Sequence, residues 1–132
     1  MAAKSKKTVC VDVDGVLFVY EGWKGIHHFG KPIAGAAEML KKLHEDGYEI
    51  VIHTTRANPD VNTDYITREL REILAEQLVK HGMVFNRIEG KPIAVGYIDD
   101  RAIPCRPDTF GVKAFYGARS LLHTLHEETK RG

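Results

Sequence analysis

Two carboxylates stand two residues apart in Val11-Asp12-Val13-Asp14-Gly15-Val16-Leu17, at the end of an apolar run that begins near Thr8. An ionised carboxylate is costly to bury without a partner. The pair is therefore expected where a strand leaves the core. Side chains at i and i+2 of a strand project to the same side, which would aim Asp12 and Asp14 at one point, and Gly15 would let the chain turn away. Thr54-Thr55-Arg56 closes a second apolar run, Lys91 stands before Pro92, and Asp99-Asp100 closes a third run. Several carboxylates around a small volume repel one another unless a cation lies among them. Hard oxygen ligands of this kind suit Mg²⁺, which keeps several waters and takes one or two carboxylates plus a phosphate. A carboxylate beside such an ion can attack a phosphoryl group and form an aspartyl-phosphate. The phosphoryl oxygens then need donors. Thr54 offers a hydroxyl and a backbone N–H, and Lys91 a positive charge. Asp14 is suited to protonate the leaving oxygen and then to activate water.

The elements that must position these residues follow from periodicity. Val9, Val11 and Val13 mark a Val-rich strand of nearly continuous apolar character, as in a buried parallel sheet. Tyr20 to Gly30, rich in Gly and aromatic residues, has no helical period and reads as a loop. Pro32 and Ile33 lead into a helix in which Ala36, Leu40 and Leu43 share a face, with Gly47 as its stop. Tyr48 to Thr54 reads as a second strand. Ala57 to Asp64 is a loop whose end, Asn62-Thr63-Asp64, offers N-caps. The helix Tyr65–His81 carries the stripe Ile66, Leu70, Ile73, Leu74 and Leu78 and ends at Gly82. Met83 to Phe85 and Ala94 to Asp99 read as short strands, and Ala118 to Thr129 as a final helix. Strands alternating with amphipathic helices predict an α/β fold, a three-layer αβα sandwich around a mainly parallel, Rossmann-like sheet. Ligands bind such sheets outside the carboxyl ends of the strands, where Asp12, Asp14, Thr54 and Asp99-Asp100 all fall.

Together these stretches resemble the haloacid dehalogenase (HAD) superfamily of Asp-dependent phosphatases, over nearly the whole chain and with four motifs in the family's order. The resemblance implies that Asp12 is the nucleophile, Asp14 the acid/base, Thr54 and Lys91 the phosphate ligands, and Asp99 and Asp100 the holders of Mg²⁺. It also implies that Asp12 and the backbone carbonyl of Asp14 bind the metal. Asp99, first after its strand, is favoured over Asp100 as the direct ligand. Lys31, also before a proline, is the rival of Lys91, and Thr55 that of Thr54. Family members often carry a cap domain. Here a loop and one helix use up the interval from Asp14 to Thr54, and one helix and a short strand that from Thr54 to Lys91. The chain thus resembles the capless members, and Lys91 to Ile103 resembles a small subgroup with capsule-biosynthesis-type and phage-type members. With no cap, the Tyr20–Gly30 loop is left to cover the site, with Trp23 and His28 as substrate contacts; Arg56 is a candidate either for binding substrate or phosphate or for pairing with an acid at the loop. His27 and His28 lack a third ligand nearby for a metal.

Bulk properties set the outer bounds. A chain of 132 residues suggests one domain, 1–132, with a basic tail at 1–7. Asp12 and Asp14 interrupt the run that a signal peptide would need. No apolar run approaches the ~20 residues that span a membrane. Cys10 and Cys105 beside apolar runs read as buried free thiols, in keeping with a reducing cytoplasm. A net charge of +1 announces no nucleic-acid surface. The expected substrate is a small phosphate ester, a sugar phosphate or nucleotide. Two rival readings are a polynucleotide end-phosphatase, since an open site admits large substrates, and a catalytically silent phospho-ligand-binding protein. A homo-oligomer is compatible with the sequence.

Overall fold

β-Branched residues crowd the first two strands, and they pair. In the computed structural model, which describes residues 7–58 and 64–131, β1 (Thr8–Val11) lies parallel to β2 (Glu49–Thr54), with Val9 opposite Ile50 and Val11 opposite Ile52. β2 lies parallel to β3 (Arg87–Gly90), with Ile52 opposite Ile88 and Thr54 opposite Gly90. The sheet order is β1-β2-β3. Parallel neighbours need long crossovers. The first carries α1 (Ala36–Glu45); the second carries the 3₁₀ turn Thr55–Ala57 and α2 (Asp64–Lys80). A long irregular stretch follows β3, then α3 (Pro107–Phe110) and α4 (Lys113–Arg131).

The predicted α/β class and parallel sheet are thus present, and among the described residues no cap domain is inserted. Ile50 and Ile52 of the central strand are fully buried among Leu40 and Leu43 of α1, Leu74 and Leu78 of α2, and Phe115 of α4. Each such side chain contributes about 1.5–3 kcal/mol on burial. α1 is locked against α4 at its start. Gly35 there has φ 89°, and a Cβ would stand 3.3 Å from the Phe115 ring. The second turn of α4 is clamped to the turn after α1, where Asp46 accepts two hydrogen bonds from Arg119 at 2.9 and 3.0 Å.

Three expectations are corrected. Met83–Phe85 is not a strand: the Met83 N–H closes α2 on the Leu78 carbonyl at 2.9 Å. The third strand instead starts after Asn86, whose backbone N–H and side-chain Oδ1 both bond to Ile50. Ala94–Asp99 is not a strand either. The Tyr97 hydroxyl donates back to the Pro92 carbonyl and curls the segment into a loop, leaving Val95 and Ile98 exposed. Among the described residues β1 is an edge strand, in keeping with the third correction: Cys10 is a free thiol but an exposed one, and Cys105 is only partly buried. The basic tail up to Lys6 and the caps Asn62 and Thr63 lie outside the described residues, as does the side chain of Ile66.

Candidate active site

The sheet register brings three motifs to one place. Asp12 follows the last residue of β1, Thr54 ends β2, and Lys91 follows Gly90, the partner of Thr54. The Lys91 N–H donates to the Thr54 carbonyl at 2.9 Å. Lys91 Nζ stands 3.8 Å from Asp12 Oδ2 and 4.3 Å from the centre of the Tyr97 ring. Burial pushes the Asp12 carboxyl above its ordinary range; Lys91 and the Val13 N–H, 2.9 Å from Oδ1, pull the other way, and Asp14 adds to the rise. The Thr54 side chain is buried, and its Oγ1 accepts the Arg56 N–H at 3.1 Å, capping the 3₁₀ turn. The rivals do not share this place: Lys31 is exposed, and Thr55 lies beyond the strand.

Asp14 is placed differently from the i, i+2 expectation. β1 ends at Val11, and the chain then winds tightly. The N–H groups of Val16, Leu17 and Phe18 all point at the Val13 carbonyl, at 3.3, 2.8 and 3.1 Å. Gly15 takes φ 88° in this turn. Asp14 is thereby aimed at Arg56. Arg56 Nε donates to Asp14 Oδ2 at 2.8 Å and Nη2 to Oδ1 at 3.0 Å. The two-pronged pair is largely buried, with side-chain exposures of 6% for Arg56 and 20% for Asp14. Nη2 also donates to the His28 carbonyl at 2.9 Å. The guanidinium lies 4.3 Å from the Phe29 ring centre and 5.2 Å from that of Trp23. Arg56, read from sequence either as a substrate or phosphate contact or as the partner of an acid at the loop, is here paired with the acid Asp14 and bonded to the 20–30 loop. The His28 imidazole is engaged with Glu21 at 3.2 Å within that loop, and Trp23 is half exposed.

Asp99 lines the same cleft as Asp12, His53, Lys91 and Tyr97; Asp100 does not, and both aspartates are solvent exposed. The cleft, about 740 Å³, continues along the open edge of β1 towards α4. Asp99 Oδ1 accepts the Arg101 N–H at 2.8 Å. In kind, the donors Asp12 and Asp99 fit a hard divalent cation. In spacing they are open: among the described residues no three His, Cys, Asp or Glu side chains stand close enough to hold an ion.

Sequence reading missed three residues that place the others. Asn58 is buried, and its Nδ2 donates to the Lys91 carbonyl at 2.9 Å. Gly90 lets the 3₁₀ turn approach β3, since a Cβ there would lie 2.6 Å from the Ala57 carbonyl oxygen. Phe29 forms one side of the Arg56 pocket. Only Gly90 had a sequence signal, a glycine just before the lysine.

No family model and no curated protein sequence matches the chain. Among solved structures, it is similar to the crystal structure of an MCSG target protein from Vibrio cholerae. The identity is 31% and the TM-score 0.68, over 93% of this chain and 98% of that one. It is also similar to a D,D-heptose 1,7-bisphosphate phosphatase from B. bronchiseptica, solved with magnesium and phosphate. There the identity is 16% and the TM-score 0.47, over 79% of this chain and 59% of that one.

Proposed function

The chain belongs to the same family as the Vibrio cholerae protein, and we propose that it is a Mg²⁺-dependent phosphomonoester hydrolase of the HAD type acting on a small phosphate ester. One observation carries this reading: Asp12 faces Lys91 at 3.8 Å, at the carboxyl end of a parallel sheet and next to Thr54. In the reaction, an Asp12 oxygen forms a bond to phosphorus while the bond to the leaving oxygen breaks. That oxygen keeps the electron pair and takes a proton from Asp14. Lys91 and the Thr54 hydroxyl hold phosphoryl oxygens. A water then attacks the aspartyl-phosphate, Asp14 takes its proton, and Asp12 is regenerated. Mg²⁺, which Asp12, the Asp14 carbonyl and Asp99 would hold, would supply neutralisation of the phosphoryl charge; Asp100, outside the cleft, is not among these holders. The cleft volume suits a sugar phosphate or a nucleotide.

The test is phosphate release from p-nitrophenyl phosphate with and without Mg²⁺, in wild type and Asp12→Asn. Turnover that needs both Mg²⁺ and Asp12 supports the reading; activity that survives in a clean Asp12→Asn preparation overturns it. The silent phospho-ligand-binding reading draws on one feature, the capture of both Asp14 oxygens by Arg56. It is favoured if phosphate esters bind without turnover.

A further inference from the structure

We infer that His53 is a further side-chain donor to the phosphoryl group, beside Lys91 and Thr54, and that it holds the group by an imidazole N–H. Its part in the reaction rests on the phosphatase reading; its part in binding stands on the geometry below.

The sheet puts His53 next to the attacking carboxylate. Val11 and Ile52 are register partners, and Asp12 and His53 are the next residues of their segments. Successive side chains of a strand point to opposite faces. In β2, Ile52 and Thr54 are buried, and His53 between them is only partly so. His53 lines the cleft together with Asp12, Lys91 and Tyr97. Thr54 therefore approaches from the packed side, where its Oγ1 already accepts the Arg56 N–H, and His53 approaches from the cleft.

The imidazole is unspent. Among the described residues, the His53 side chain makes no hydrogen bond and no ion pair. Its register partner on β3, Glu89, is held by Arg87 at 3.2 Å. The neighbouring polar groups are unsuited or engaged. Asp12 and Asp99 are acids, which repel a phosphoryl oxygen, and the Tyr97 hydroxyl is given to the Pro92 carbonyl. Lys91 divides its charge between Asp12 at 3.8 Å and the Tyr97 ring at 4.3 Å. A phosphoryl group brought against Asp12 needs donors aimed at it, and His53 has one free.

The direction of attack decides which oxygens His53 can reach. The attacking and leaving oxygens lie roughly in line through phosphorus, and charge spreads over the equatorial oxygens. A side chain standing beside the attacking carboxylate meets an equatorial oxygen. Only a group ahead of Asp12 meets the leaving group. His53 stands beside it, one strand over. A neutral imidazole already carries one N–H, so the contact needs no protonation. His53 thus acts on the part common to all phosphate esters and not on the part that distinguishes them.

Calorimetric titration with inorganic phosphate, in the presence of Mg²⁺, tests the contact without any turnover. It compares wild type with His53→Leu, and Asp12→Asn with Asp12→Asn/His53→Leu. Circular dichroism checks folding, and His53→Ala replaces His53→Leu should the latter fail to fold. Loss of His53 should raise the phosphate Kd about 10- to 100-fold in both backgrounds, the size of a hydrogen bond to a charged group. An unchanged Kd in folded variants overturns the inference. So does an effect that vanishes in the Asp12→Asn background, because His53 would then act only through Asp12. His53→Gln and His53→Asn bring an amide N–H near the places of Nε2 and Nδ1, and one of them should recover part of the binding. In kinetics, His53→Leu should lower kcat/KM for p-nitrophenyl phosphate and for an alkyl phosphate by the same factor, within about threefold. A larger loss on one ester puts His53 at the leaving group and overturns its place at the phosphoryl oxygens. If wild type hydrolyses neither ester while phosphate binding depends on His53, the phosphatase reading fails and the His53 contact stands. If wild type binds no phosphate, both fail.

Discussion

Replacing Lys91 with methionine separates its two roles from its packing. The side chain keeps its length and apolar stem but loses its charge. Part of the expected loss comes from Asp12. At the observed 3.8 Å, two unit charges attract by about 4 kcal/mol at an effective dielectric near 20 and by about 1 kcal/mol in water. The Asp12 side chain is 37% exposed, so screening favours the lower end, about 1 kcal/mol. The rest comes from the phosphoryl group, where a charge-assisted hydrogen bond contributes roughly 1.5–3 kcal/mol. Together these predict a fall in kcat/KM of roughly 10²- to 10³-fold. Stability should change little, because a part-exposed ion pair contributes only about 0–1 kcal/mol. The assay is steady-state hydrolysis of p-nitrophenyl phosphate at saturating Mg²⁺, with a thermal melt as the control on folding. Lys31→Met serves as the comparison. If folded Lys91→Met stays within about threefold of wild type, or if Lys31→Met loses more, then the placement of Lys91 at the phosphoryl group is refuted.

Further outcomes are expected for Asp12, Asp46, Gly90 and Mg²⁺. Asp12→Asn should lower turnover by several orders of magnitude. Burial holds the Asp12 carboxyl above its ordinary range, so its ionisation weakens the metal-free fold as pH rises through that raised value. Melts in EDTA should therefore show Asp12→Asn more stable than wild type at neutral pH, with the gain gone below the ordinary Asp range near pH ~3.9. Hydrogen bonds from Arg119 hold Asp46 below its ordinary range; Asp46→Asn should destabilise at neutral pH in urea melts, and the difference should close as pH falls through that depressed value. Gly90→Ala would place a Cβ 2.6 Å from the Ala57 carbonyl oxygen, so it should cost about 1–3 kcal/mol of stability and also lower kcat/KM by pushing Arg56 and Lys91 apart. Mg²⁺ should raise the melting temperature, by about 2.7 kcal/mol of linkage at 100 times its dissociation constant; Asp99→Ala should shrink that shift, and no shift at all would reject the proposed metal cluster.

Local patterns determined most of the architecture. The Val-rich run before Asp12, the Leu70/Leu74/Leu78 stripe and the run before Thr54 carry their periods in a few neighbouring residues, and each formed the expected element. Parallel pairing then puts strand ends side by side, so the neighbourhood of Asp12 and Thr54 is legible from the order of the motifs; Lys91 joins them because β3 ends at Gly90, a strand that the sequence placed at Met83–Phe85. The sequence could not show where a strand stops or what a turn does to the next side chain. β1 ends at Val11, so the i, i+2 rule does not reach Asp14, and the turn on the Val13 carbonyl aims it at Arg56, 42 positions away. The roles of Asn58 and Phe29 likewise exist only through contacts between distant segments. The run Ala94–Ile98 has the composition of a strand, yet composition says only that a segment fits a sheet. Whether it pairs depends on a partner edge and on competing bonds, and here the Tyr97 hydroxyl takes the Pro92 carbonyl instead. Period and polarity are local and so belong to the sequence. The direction of a side chain beyond a strand end is set by the sum of many distant contacts, and only the folded chain supplies it.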